Sequence, residues 1–328
     1  MISLKFYPRQ TQALMATSFR WFVTCTFAMS LPAGAQTTTA ETGKRGASNK
    51  SPVVPLVVTV AFSKTYSKLE TYTLYGGFLQ HVEKCAALQF VNSRAEPVAR
   101  GFDAVDLLTE PELLDGIKQG KVQLALVTAG LVPVVMDTMD AVPFAVRGNA
   151  TDNKIHSYKL NLIVRTDSPY RKPSDLQGKT IAHTTPGSNS GNLAPRAYFP
   201  DLGLKPDTDY KVVYSKGHER SVMGVLHGFY DGAAVESDQF QLLATKGEIR
   251  KGSFRVLWES PPFPAEAWTL SRSVGQTVQD KIMRCTGTYR FPANVSKLLE
   301  GADVFLPINA VRDYAPVRFV AERSKITP

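Results

Sequence analysis

Short apolar, β-branched segments alternate with helix-like segments from Val53 almost to the end of the chain, and this alternation is the feature that most limits its fold. "VVPLVVTVAF" is continuously apolar, as a strand covered on both faces should be. In "LETYTLYGGFLQHVEKCAAL", Leu74, Phe78 and Val82 fall four apart, which is helical spacing. "LQFVNSR" is strand-like. "TEPELLDGIKQGK" predicts a helix capped by Thr109, with Glu112 three residues on. "VQLALVTA", "LNLIVRT", "KTIAHT", "YKVVYS", "GAAVES", "FRVLWES" and "AWTLSRS" predict further strands. "HERSVMGVLHGFY", "GQTVQDKIMRCTG" and "APVRFVAERS" predict helices, and "GNLAPRAYFPDLG" a helix bent or broken near Pro195. Regular alternation of this kind predicts an α/β protein with mixed, mostly parallel sheets flanked by helices. The joint "SPPFPAEA" sets three prolines between two strands, which suits a stiff crossing rather than a hairpin.

The first 35 of the 328 residues read differently. Lys5, Arg9 and Arg20 precede the apolar run "WFVTCTFAMSL", and Ala33 and Ala35 flank Gly34. A basic start, a short apolar core and an A-x-A site predict a signal peptide, residues 1–35, and export to the periplasm. The polar stretch 36–54 predicts a disordered linker. Without the signal segment the net charge falls from +9 to +6. The bases are scattered and not interleaved with aromatics, so no nucleic-acid partner is expected. Two cysteines remain, Cys85 and Cys285. An exported pair can form a disulfide or stay as two buried thiols, and sequence leaves both open. No zinc-type His/Cys spacing is present, and no metal or cofactor is expected.

The segment "TTPGSNSGNLAP" carries the chemistry. A strand leads into it and a helix leads out, the place where α/β proteins collect ligands. Pro186 and Gly187 turn the chain, and Gly191 would let the backbone come close to a ligand. Ser188, Asn189 and Ser190 offer neutral donors beside backbone N–H groups, a set suited to an oxyanion. The segment lacks the lysine of a nucleotide P-loop and the glycine spacing of a nucleophile elbow.

Four stretches, "SDLQGKTIAHTTPGSNSGNLAP", "GHERSVMGVLHGFYDGAAVES", "LWESPPFPAEAWTL" and "DYAPVRF", occur in this order. With them the chain, from about Val57 to Arg323, resembles the substrate-binding proteins of phosphonate, phosphite and phosphate ABC importers. The resemblance implies a two-lobed periplasmic-binding-protein fold that closes on ligand by hinge bending. It implies a first lobe of residues 55–160 plus 267–328 and a second of 161–266. The chain would cross near Tyr158 to Val164 and return near Pro261 to Trp268. The family's phosphonate-gripping Ser-Thr-Ser run looks like Ser188, Asn189 and Ser190, with an amide replacing one hydroxyl. The resemblance further implies roles for His218 as a donor, for Glu236 in "GAAVES", and for Glu266 as an acid facing a ligand amine. In the first lobe Thr128 stands near where family members often carry an aromatic, and Tyr66 or Tyr72 would supply an aromatic wall.

The function so implied is capture of a small phosphorus oxyanion by a monomer and delivery to the membrane subunits of an ABC importer, without turnover. The alternatives are a sensing module of the same fold for another small anion such as a sulfonate, and an exported phosphoester hydrolase, for which no nucleophile–base pair is evident.

Overall fold

The structure, a computed structural model, describes residues 56–324. The expected signal peptide and linker lie outside the described residues.

The chain opens with β1 (Leu56–Ser63), α1 (Lys68–Ala86), β2 (Leu88–Val91), β3 (Leu107–Leu108), α2 (Glu110–Lys118), β4 (Leu124–Val127), α3 (Val132–Thr138) and β5 (Ala141–Asn149). It then passes through β6 (Lys154–Ile155) and β7 (Ser157–Tyr158) into β8 (Leu160–Arg165), β9 (Thr180–His183), α4 (Ala194–Tyr198), β10 (Lys211–Tyr214), α5 (His218–Leu226), β11 (Gly232–Glu236), α6 (Ser237–Thr245) and β12 (Phe254–Glu259). It returns through β13 (Phe263–Pro264) to β14 (Ala267–Ser271), α7 (Gln276–Thr288), α8 (Ala293–Leu298), β15 (Val304–Pro307), α9 (Ala310–Asp313) and α10 (Ala315–Arg323).

These strands form two large sheets and a separate two-stranded pairing of β7 with β13. The first has the order β15-β5-β14-β4-β1-β2, with β3 also on β1 and β6 on β5; the second has the order β10-β9-β11-β8-β12. Parallel pairing is confined to β1 with β2, β3 and β4, and to β9 with β10 and β11. The strands that adjoin the crossings, β5, β8, β12 and β14, pair antiparallel. The sheets are mixed, as expected, but the mostly parallel character is limited to these two cores. Periodicity reports which face is buried and not which way a neighbour runs.

Local chemistry explains the helices that position the site. Ser67 Oγ accepts from the Glu70 N–H at 3.2 Å and the Glu70 carboxylate accepts from the Ser67 N–H at 3.0 Å, a reciprocal cap that fixes the start of α1. Leu74, Phe78 and Val82 are buried against the first sheet, as their spacing predicts. Thr109 and Glu112 cap α2 in the same way. The strand β1 is covered only from Val58 on, with Leu56 and Val57 nearly half exposed. The helix after Ser190 is not broken at Pro195. A single wide turn, Asn189–Leu193, precedes α4, and Pro195 sits in its first turn, where a missing N–H leaves no partner unsatisfied. Gly203, with φ of 73°, ends the segment.

Two short connections join the sheets, and they pair with each other: Tyr158 lies opposite Phe263 and Ser157 opposite Pro264. The crossing residues are fewer than the sequence implies. Leu160–Val164 already belong to the second sheet and Ala267–Trp268 to the first. Tyr314 reaches back from the chain's end to donate to the Ala265 carbonyl at 2.5 Å. The last helix, α10, which the sequence division counts with the first lobe, packs on α4. Tyr198 and Phe319 meet there as tilted rings, 6.0 Å between centroids, and Arg323 pairs with Asp201. Among the described residues no helix is long and apolar enough to cross a membrane.

Cys85 on α1 and Cys285 on α7 are joined by a disulfide across 200 residues of sequence. Closing so long a loop removes conformations chiefly from the unfolded chain, an effect of about 2–5 kcal/mol. Cys85→Ser with Cys285→Ser should therefore lower Tm by several degrees while leaving the circular-dichroism spectrum of the folded chain unchanged; equal melting with and without reductant would show the bridge to be idle.

His183, at the end of β9, is fully buried between Asn192 Oδ1 at 2.9 Å and Tyr210 Oη at 2.8 Å. Burial lowers its pKa from 6.5 to about 4. Unfolding must then take up a proton below pH 6.5, so the neutral ring's contribution is complete above that pH and is lost as pH falls toward 4. That contribution is about 3 kcal/mol. Melting temperatures measured from pH 7 to 4 should fall less steeply for His183→Gln than for wild type; parallel curves would reject the assignment.

Candidate functional site

Residues carried by both sheets meet beside the crossings. From the second sheet come the loop after β9, the start of α5 and the end of β11. Ser188 caps the wide turn, its Oγ accepting from the Gly191 N–H at 3.1 Å, which leaves its hydroxyl proton free to donate. Asn189 is buried and its amide donates to Tyr158 Oη at 2.9 Å, so half of its donor capacity ties the loop to the crossing. Its Oδ1 is buried without a partner. Ser190 is buried, with Oγ 3.5 Å from His218 Nε2.

Gly191 meets a packing need: a Cβ there would lie 1.9 Å from Thr184 Oγ1, so the missing side chain admits the chain's own strand. Its carbonyl accepts from the Thr184 N–H at 3.0 Å.

His218 begins α5. Its Nδ1 accepts from the Glu236 backbone N–H at 3.1 Å. Burial lowers its pKa to about 4, so the ring is neutral near pH 7 and carries its single proton on Nε2. That N–H faces Ser190 Oγ and lies 3.7 Å from Glu236 Oε2. The pKa of Glu236 is raised well above the usual carboxyl range, first by burial and then by the nearby Asp238 and Glu266. Of the acids here, Glu236 is the one that keeps its proton to higher pH.

The first sheet contributes Thr128, Tyr66, Tyr75, Arg147 and Glu266. Thr128 follows β4; its N–H donates to Ser63 Oγ at 3.2 Å, while its own Oγ1 is buried and unpartnered. Tyr66 is half-buried ahead of α1, and burial followed by the charge of Glu266 raises its pKa. Tyr72 faces elsewhere and donates to the Ala99 carbonyl at 2.9 Å. Tyr75 donates to Glu266 Oε1 at 2.6 Å.

Arg147 organises the acids. It is 2 % exposed in β5. Its Nη2 lies 2.6 Å from Asp238 Oδ2 and its Nη1 2.5 Å from Glu266 Oε1, the latter an ion pair without hydrogen-bond alignment. His156 Nε2 lies 2.6 Å from the same Asp238 oxygen. Burial opposes the guanidinium's charge, but Glu266 and the other anionic neighbours outweigh it and raise the pKa further. Burial also works against the charges of Glu266 and Asp238; Arg147 with Tyr75, and His156 with Arg147, overcome it and hold both below the usual carboxylate range. His156, Asp238 and Glu300 have ligand-type atoms within 4.8 Å of one another, but Arg147 already supplies positive charge at that point.

The structure sets Ser190, His218 and Glu236 side by side, with Ser188 and Asn189 in the same loop, and ties Glu266 to Arg147; Thr128 and Tyr66 belong to the first-sheet part of the chain. Sequence reasoning missed Arg147, Asp238, Tyr75 and Tyr158. One signal was present: Arg147 is a lone charge inside "AVPFAVRGN", an otherwise apolar strand, and a charge so placed requires buried partners.

The chain matches the family described as "ABC transporter, phosphonate, periplasmic substrate-binding protein" over residues 104–309, well over half its length. The phosphate-import protein PhnD of Mycolicibacterium smegmatis is 25% identical over 116 residues, 33% of this chain and 36% of that protein. The match thus spans about a third of that curated relative. Among solved structures, a binding protein component of an ABC phosphonate transporter from Pseudomonas aeruginosa has a TM-score of 0.67 at 18% identity, covering 83% of this chain and 87% of that one. PhnD1 from Prochlorococcus marinus, solved with methylphosphonate, has a TM-score of 0.66 at 13% identity, covering 82% and 98%. These likenesses show the fold, the α/β type II periplasmic-binding-protein fold expected from the sequence. The chain belongs to the family of periplasmic substrate-binding proteins of phosphonate ABC transporters.

Proposed function

We propose that the protein holds a small phosphorus oxyanion, a phosphonate, phosphite or phosphate, between two lobes and delivers it to the membrane subunits of an ABC importer without chemical turnover. The lobes are residues 55–160 with 267–328 and residues 161–266. Export by a signal peptide, work in the periplasm and a monomeric state belong to the same reading.

The observation that carries it is the neutral donor set around Ser190. His218 Nε2–H lies beside the Ser190 hydroxyl and the Glu236 carboxyl, whose pKa burial raises well above the usual range, Ser188 caps the same loop, and Thr128 Oγ1 is buried and, among the described residues, unpartnered. Donors held by a rigid loop and desolvated on closure suit a phosphoryl group's oxygens without a full cation. Glu236 as an acid donates to one oxygen; as a carboxylate it would repel the ligand.

The same geometry argues against a serine hydrolase. A Ser190 nucleophile needs a base, and the nearest nitrogen, His218 Nε2, carries the ring's proton because Nδ1 is occupied by the Glu236 N–H. A ring with a pKa near 4 is also a weak base at neutral pH.

Methylphosphonate, phosphite or phosphate should raise Tm; at about 100 times its Kd a ligand adds roughly 2.7 kcal/mol. Ser190→Ala with His218→Gln should weaken calorimetric affinity tenfold or more, since each hydrogen bond to a charged group contributes about 1.5–3 kcal/mol. A flat response to all three anions, or hydrolysis of a phosphate ester by purified protein, would defeat the reading.

The Glu236 proton gives a second test. The ratio of wild-type to Glu236→Gln affinity for methylphosphonate should fall as pH rises and Glu236 ionises, a comparison in which the ligand's own ionisation cancels. A ratio constant from pH 5 to 9 would remove Glu236 from contact with the anion.

A further inference from the structure

Three buried carboxylates lie within electrostatic reach of one another: Glu236, beside His218, and Asp238 and Glu266, which flank Arg147. An acidic cluster of this kind would ordinarily recruit a cation from the ligand, and an ammonium group would fit the charge. Here the cation is built in. We propose that Arg147 is the resident counter-cation of this acidic cluster and the residue that sets ligand selectivity, turning the site away from amine-bearing phosphonates and toward those with no positive charge. The proposal rests on the phosphonate reading above and deepens it.

The argument is one of occupied lone pairs. Glu266 Oε1 faces Arg147 Nη1 at 2.5 Å and accepts from Tyr75 Oη at 2.6 Å. Asp238 Oδ2 accepts from Arg147 Nη2 and meets His156 Nε2, both at 2.6 Å, and Asp238 Oδ1 accepts from Ser237 Oγ at 3.2 Å. Three of the four Asp238 and Glu266 oxygens already face protein donors. Glu236, the acid whose partners are not ionic, is the one burial and its acidic neighbours keep protonated, and a neutral carboxyl offers an ammonium little. The guanidinium itself is 2 % exposed, is carried on a sheet strand and is gripped from both sides, so it cannot swing aside as a surface lysine would. Its Nε has no partner among the described residues, which leaves one donor turned toward neither acid.

An amine ligand must therefore displace Arg147 from its two buried ion pairs, one with Asp238 and one with Glu266, or sit beside it, like charge against like charge. Removing Arg147 reverses the situation, because two ionised buried carboxylates are then left without a counter-charge and an ammonium can supply it.

The test compares methylphosphonate with 2-aminoethylphosphonate by calorimetry on wild type, Arg147→Met and Arg147→Met with Glu266→Gln. The double variant removes one acid along with the base, so it avoids leaving two bare charges and keeps the experiment readable should the single variant not fold. Wild type should prefer methylphosphonate at least tenfold. The ratio should move toward 2-aminoethylphosphonate by tenfold or more in the single variant, and by less in the double, where only Asp238 is bare. Wild type that prefers the amine, or a folded variant whose ratio does not move, overturns the role of Arg147 and leaves the phosphonate reading intact. Wild type that binds neither compound overturns the phosphonate reading, and this proposal falls with it.

Discussion

A guanidinium buried to 98 % must be compensated, and the way Arg147 is compensated arranges the cleft. Its partners come from separate parts of the chain. Asp238 starts the helix after β11 in the second sheet, and Glu266 lies just before β14 re-enters the first. Removing one member of such a buried network typically costs about 3–5 kcal/mol, because the remaining charge has no water to turn to. The exposed pairs that also join the two halves, Lys246 with Glu70 and Arg323 with Asp201, are solvent-screened and contribute roughly 0–1 kcal/mol each. The mutual placement of the sheets near the crossings therefore depends on Arg147 far more than on the surface. The same ion decides where protons reside: it holds Asp238 and Glu266 ionised, and their charges in turn help keep Glu236 protonated.

The surroundings of Ser190 are built from neutral groups, and their order comes from the backbone. A wide turn at Asn189–Leu193 replaces the regular first turn of a helix, and Ser188 caps it. The Asn189 amide then reaches Tyr158, which fixes the loop against the crossing between the sheets. On the neighbouring helix, one backbone N–H from Glu236 selects the tautomer of His218 and so decides that the ring presents a donor to Ser190. Ser188, Asn189 and His218 are each held in place by a bond to the protein itself. That is what preorganisation requires, and it leaves little ordering to be done when a ligand arrives.

Much of this was legible in the sequence where the signal is local. Capping pairs at Ser67 and Thr109, the four-residue spacing of Leu74, Phe78 and Val82, and the proline-rich return all announce their structures directly. The serine-asparagine-serine loop stood out because small polar residues beside glycines have few structural uses at a strand end. What was not legible depends on contacts between distant segments. The strand β5 is interrupted in pattern by Pro143 and Arg147; Pro143 fits because the pairing with β14 shifts register between Trp268 and Thr269, and Arg147 fits because Asp238 and Glu266 arrive 91 and more residues later. The strand directions next to the crossings escaped for the same reason. They follow from how the chain changes sheets, and burial patterning carries no trace of direction.

The glycines of the loop show how easily a ligand-binding explanation displaces a packing one. Gly187 sits across the cleft from α2: a Cβ there would come within 2.1 Å of Glu110 Oε2, and Glu110 Oε1 accepts from Thr185 Oγ1 at 3.2 Å. Gly130, after β4, faces it from the first sheet, where a Cβ would lie 2.6 Å from the Gly187 carbonyl oxygen and 3.2 Å from the Asn189 nitrogen. Neither residue is in the left-handed region, so neither glycine is demanded by backbone conformation. Gly130 is demanded by proximity, because the main chain at Gly187 and Asn189 leaves no room for its side chain, whereas at Gly187 the neighbour is the carboxylate of Glu110. Any methyl group at either position would act as a wedge at the point where the halves come together, a few residues from the donors around Ser190. The small residues of this loop thus serve closure and internal packing at Gly187 and Gly191, while the hydroxyls between them remain available to a guest.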